Sequence, residues 1–140
     1  MTLLRFRDDA VHEEPAVTLD AFLTQSNATA VRVEPSDDAR ALLPYLDRLA
    51  LIEVAFPKFR DGRGYSTARI LREAGYTGEL RAAGDVLLDQ VVAMRRCGFD
   101  ALASDAPLDQ TKVEAALARF PYVYQKAADA KPPVWALRHG

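Results

Sequence analysis

From about residue 30 onward the chain alternates short apolar stretches at strand spacing with segments at helical spacing, and this alternation restricts its fold more than any other feature. Residues 30–34 alternate with period two. Ser36, Asp37 and Asp38 then offer a helix cap ahead of Ala39, Leu42, Leu43 and Leu46, a pattern that Pro44 is expected to kink or divide. Residues 49–56 are almost continuously apolar, as in a strand covered on both faces, and read as the central strand. Residues 67–74 read as a helix ended by Gly75, and residues 79–83 as a short strand. Leu87, Val91 and Met94 mark a helix stopping at Gly98, and residues 99–103 a further strand. The last helix aligns Val113, Ala116, Leu117 and Phe120, and residues 122–125 are candidates to close the sheet.

Strands separated by helices of this length imply right-handed crossovers. The expected fold is α/β, a single domain with a mainly parallel sheet of four or five strands flanked by helices on both faces, flavodoxin-like or half-barrel-like. Residues 1–29 read as a variable N-terminal edge strand (3–6) and a short amphipathic helix (18–24). Residues 30–125 read as the core, and residues 126–140 as a tail whose Trp135 would pack on the domain or on a second subunit of a homodimer.

At 140 residues the chain can bury a sizeable core without disulfides or a structural metal. Its apolar fraction of 49% contains no window of about 18 uninterrupted apolar residues, so no membrane span is expected. The first residues lack the pattern of a secretory signal, and the chain reads as cytoplasmic. One cysteine, Cys97, and two histidines near opposite ends, His12 and His139, argue against an internal disulfide, a metal site or a His-based triad. Cys97 follows Arg95 and Arg96 at a helix C-terminus, where dipole and arginines act oppositely on a thiolate; beside the Met94 stripe it reads as a buried, inert thiol. The net charge is −2, yet residues 56–140 carry thirteen basic and ten acidic side chains while residues 1–55 carry five and ten. So local a basic excess suits a small anion or an acidic patch better than a nucleic acid, which is not expected as a partner.

The basic residues concentrate where the central strand hands over to its helix: Lys58, Arg60 and Arg63 surround Gly62 and Gly64, followed by Tyr65 and Ser66. In this position the glycines would let backbone approach a ligand, the arginines would fork onto an oxyanion, and Ser66 would cap a helix whose free N–H groups point into the loop. Tyr65 would present its hydroxyl or cover the sheet edge; Arg69 would reach the pocket or pair with Glu73. A solvated turn is the plainer reading. Ligands of parallel sheets bind beyond the strand C-termini, which adds Gly84-Asp85 and Ser104-Asp105, with Asp85 as candidate base or arginine orienter. No triphosphate loop and no complete dinucleotide fingerprint is present, and the acidic turn at 34–38 disfavours FMN, so no cofactor is expected.

Three stretches, residues 49–69, 78–86 and 94–100, resemble a bacterial domain-of-unknown-function family (family 934) across roughly residues 30–125. Its genes commonly sit beside those of assimilatory sulfite reductase, and its members are sometimes labelled oxidoreductases. The chain departs from it at Ala83, where valine is usual, and at Pro44. What the resemblance implies is a part in sulfite and sulfate reduction, without established catalytic residues. One cysteine and no flavin or nicotinamide loop leave little to carry electrons, which argues for a non-redox part. Three functions remain open. The chain is an accessory protein binding sulfite, sulfate or phosphate, or sulfite reductase itself, through the basic loop; an enzyme acting on a phosphorylated or sulfated molecule with Asp85 as base; or a pure interaction module.

Overall fold

The computed structural model describes residues 2–12, 15–25, 27–57 and 62–119. The four strands expected between residues 30 and 104 form as β3 (Ala30–Val33), β4 (Leu51–Phe56), β5 (Glu79–Gly84) and β6 (Ala101–Ser104). The N-terminal segment adds two more, β1 (Thr2–Arg5) and the two-residue β2 (Val17–Thr18), making a six-stranded sheet. Residues 122–125, expected to close it, lie outside the described residues. The helices are α1 (Leu19–Gln25), α2 (Arg63–Glu73), α3 (Val91–Cys97) and α4 (Gln110–Ala118), the last capped by the Asp109 carboxylate on the Thr111 and Lys112 amides. Among the described residues no helix is long and apolar enough to cross a membrane.

The strand order is β1-β6-β5-β4-β3-β2, parallel throughout except for β1 against β6. From β2 to β6 each strand lies beside its predecessor, the half-barrel-like order rather than the flavodoxin one, whose order reverses. A right-handed crossover repeated in one direction keeps the connections from β2 to β6 on one side of the sheet. The expectation of helices on both faces is therefore corrected. Val31, Val33, Ile52, Val54, Phe56, Leu80, Ala82 and Leu102 form one apolar cluster with residues of all four helices, including Phe22, Leu71, Met94 and Leu117. Their strand neighbours of opposite parity are absent from that cluster.

The connection 39–48 also departs from expectation. Pro44 neither kinks nor divides an α-helix; the whole of Ala39–Arg48 is 3-10, opened by the Asp38 carboxylate on the Arg40 amide. A three-residue turn stacks Ala39, Leu42 and Tyr45 on one side, with the first two fully buried and Tyr45 packed edge-on against Phe22 at 5.4 Å.

The helix-free face carries charge. Arg32, Glu53 and Arg81 stand in register across β3, β4 and β5, and Arg32 ion-pairs with Glu53. Arg81 grips Glu79 at 2.7 Å, and Arg5 of β1 passes over the small side chain of Ala101 to reach the same carboxylate at 2.7 Å. Signs alternate along the ladder, so each buried charge has an opposite neighbour, as burial demands. Above it Ala55, Ala83 and Ala103 form a row of buried small residues. A second knot closes the N-terminal end of the sheet: Asp100 accepts from the Leu80 amide (2.8 Å), Arg7 (2.7 Å) and Arg72 (3.1 Å). Arg72 also donates to the carbonyls of Gly98, Tyr76 and Gly78, tying the last turn of α2 to β5 and β6. Burial beside this knot pushes the Tyr76 hydroxyl well above its ordinary pKa.

Asp9 links the N-terminal segment to Arg5 and Arg7, and the Arg7 hydrogen bond foremost holds its carboxyl below the usual range. A depressed folded-state pKa means that this stabilisation is complete above the unfolded-state value and disappears as pH falls through the folded one. The expected outcome is a thermal midpoint that drops on acidification below about pH 4, with a shallower drop in Asp9→Asn, measured by melts across pH.

Candidate functional site

Because β4, β5 and β6 are adjacent and parallel, their C-terminal residues Phe56, Gly84 and Ser104 fall in one row. Two of the segments expected to converge, Gly84-Asp85 and Ser104-Asp105, meet at this edge, and residues 58–61 of the third lie outside the described residues. The Asp85 amide donates to the Phe56 carbonyl at 2.8 Å, the Asp105 amide to Gly84 at 2.9 Å, and the Ser104 hydroxyl to Val86 at 3.1 Å. Ser104 is fully buried and spends its hydroxyl on the turn, so it supports the edge from within. Asp85 is half-buried and Asp105 exposed at the rim.

α2 begins at Arg63, four residues before the expected start, and this corrects the role of Ser66. Ser66 lies inside the first turns, exposed, and Gly62 occupies the cap position, where no side chain caps the helix. The signal for the longer helix is Gly64: a Cβ there would meet the Phe56 ring at 2.7 Å (Cε2) and 2.9 Å (Cε1). Gly64 is therefore bare so that α2 can lie on Phe56. Gly62, by contrast, is exposed with open space around it.

Tyr65 covers the sheet edge, edge-on to Phe56 at 5.5 Å, and its half-buried hydroxyl titrates above the ordinary range through burial first and the neighbouring Cys97 second. Cys97 is a buried free thiol on the underside of α3. Arg63, Ser66 and Arg69 recur at every third position and are all exposed, so the start of α2 presents a hydroxyl flanked by two guanidinium groups. Arg69 has no ion pair with Glu73 among the described residues. Lys58 and Arg60, the other two basic candidates, lie outside the described residues.

Sequence reasoning assigns no role to Phe56, the floor on which Gly64 of α2 and Tyr65 meet; it also touches Phe99 edge-on at 5.7 Å. The available signal is the aromatic at the strand's last position, eight residues before a glycine. Spacing places Arg72 beside Arg69 on the helix surface, whereas it faces inward onto Gly98 and Asp100. No group of three or more His, Cys, Asp or Glu arranged to hold a metal ion occurs among the described residues.

A family model described as "Bacterial protein of unknown function (DUF934)" matches residues 30–135. No curated protein and no solved structure matches the chain.

Proposed function

Because the chain belongs to this bacterial family of unknown function, we propose that it is a non-redox accessory protein of assimilatory sulfite reduction that binds a small oxyanion, sulfite before sulfate or phosphate, or an acidic surface of sulfite reductase. The observation supporting this reading is the exposed start of α2, where Arg63, Ser66 and Arg69 share a face of a helix whose N-terminus no side chain caps. Arginines fork onto an oxyanion with two parallel donors, and a helix start adds partial positive charge. The association with sulfite reduction comes from the family resemblance described above. Oxyanion binding and reductase docking draw on the same chemistry.

A thermal-shift titration tests the reading. At a sulfite concentration ten times its Kd the folded state gains about 1.4 kcal/mol, which raises the midpoint by roughly 4 °C for a chain of this size. The Arg63→Ala/Arg69→Ala variant is expected to lose that rise and also to lose capture of sulfite reductase subunits. A protein indifferent to sulfite, sulfate and phosphate, whose reductase capture survives the double substitution, would rule the site out.

A further inference from the structure

The eleven residues of α2 run about 16 Å from its exposed start to its carbonyl end, at the N-terminal end of the sheet. There Ala74, Gly75 and Thr77, on the way to β5, line a groove of about 280 Å³ together with Leu43, Leu46 and Asp47 of the 3-10 segment. Three residues per turn set Leu43 and Leu46 on one row, about 6 Å apart along the axis. Leu46 leans on the apolar core, whereas Leu43 does not join it and stays 38% exposed. Every lining residue except Leu46 is exposed, so the groove is open enough to admit a side chain carried by another polypeptide.

The electrostatics of the groove are negative. The Ala74 and Gly75 amides are spent on the carbonyls of Ile70 and Arg72, while the carbonyls of Glu73, Ala74 and Gly75 accept no hydrogen bond among the described residues. The negative end of the α2 dipole therefore opens here. Asp47 enters no ion pair among the described residues, because the basic side chains nearest in sequence are committed elsewhere: Arg40 to Asp38 at 3.6 Å, and Arg48 over the Tyr45 ring at 5.5 Å. Arg72 turns inward, to Asp100 and the carbonyls of Gly98, Tyr76 and Gly78. Arg7 donates to the Thr77 carbonyl at 3.2 Å, and its charge is met by Asp9 and Asp100. Two guanidinium groups thus face two carboxylates in that knot, which leaves the Asp47 charge uncompensated.

We propose that this groove docks a lysine side chain of a partner polypeptide, its stem along Leu43 and Leu46 and its ammonium between Asp47 and the carbonyl end of α2. Lysine buries its methylenes on apolar surface while its charge stays at a wet rim, which is the layout found here. One carboxylate beside separate backbone carbonyls suits a compact ammonium with three donors better than the planar fork of arginine. The site uses the opposite end of α2 from the oxyanion reading and does not depend on it.

An NMR titration of the full chain with a blocked pentapeptide, one lysine between pairs of alanines, tests this. The Gly75 and Thr77 amide signals are expected to move, and the same peptide with norleucine for lysine is expected to leave them in place. Asp47→Asn is expected to weaken the lysine peptide about three- to fivefold, the scale of one exposed charge pair. Should that variant fold poorly, about 0.5 M salt on the unaltered protein is expected to weaken the peptide similarly. Arg63→Ala/Arg69→Ala is expected to bind the peptide as the unaltered protein does, which separates this site from the oxyanion site. Lysine and norleucine peptides moving the two amides alike, or a lysine affinity indifferent to both Asp47→Asn and salt, would overturn the proposal.

Discussion

Asp100→Ala is expected to lower the free energy of unfolding by about 4 kcal/mol, the scale of removing one partner from a buried ionic knot. Asp100 is 4% exposed and accepts from two guanidinium groups and one amide, on β1's continuation, α2 and β5. Removing it leaves the Leu80 amide and the half-buried Arg72 donor without their acceptor, and both demand compensation in a poorly hydrated corner. Asp100→Asn keeps an acceptor for the Leu80 amide and loses only the charge, so a smaller loss, about half, is expected. Urea unfolding measures both. Midpoints should shift while the slope stays constant, and a loss under about 1 kcal/mol for the alanine variant would show that the arginines find other partners.

The second large effect belongs to the rim of the site. Gly84 adopts φ +121°, a backbone region closed to other residues, and a Cβ there would stand 2.5 Å from the Phe56 carbonyl oxygen. That oxygen is already committed to the Asp85 amide, so β4 cannot yield without breaking the turn that carries Asp85. Gly84→Ala is expected to cost about 3 kcal/mol or more, combining backbone strain with a contact against main chain, and to lower the melting midpoint by roughly 10 °C. Gly62→Ala provides the contrast: its φ is −76° and nothing lies within 4 Å of the new Cβ, so a change within about 0.5 kcal/mol is expected. Equal effects at the two glycines, read by calorimetry, would contradict the packing described for the β4–β5 edge.

Local pattern is enough for much of this. The apolar run ending at Phe56 forms β4, and the polar residues at 37–38 and 105–109 supply real caps in Asp38 and Asp109. Signals acting over a few residues are legible because the backbone groups they satisfy are neighbours in the chain. The site is harder. Gly62 and Gly64 look alike as letters, yet only Gly64 lies under an aromatic ring from another element. Ser66 reads as a cap because Ser is a good one, whereas contact between Gly64 and Phe56 lets α2 begin a turn earlier. Arg69 and Arg72 share a spacing that says surface, and only the position of β6 turns Arg72 inward.

Periodicity and caps alone establish an α/β chain with strands at β3 to β6 and a basic cluster at one handover, because both are written in contiguous residues. The order of those strands, the placement of all described helices on one face and the charged ladder on the other were decided in three dimensions. Glu79 and Arg5 are 74 positions apart. Such pairs are selected by what remains beside a charge once water is excluded, and that depends on which strand lies next to which.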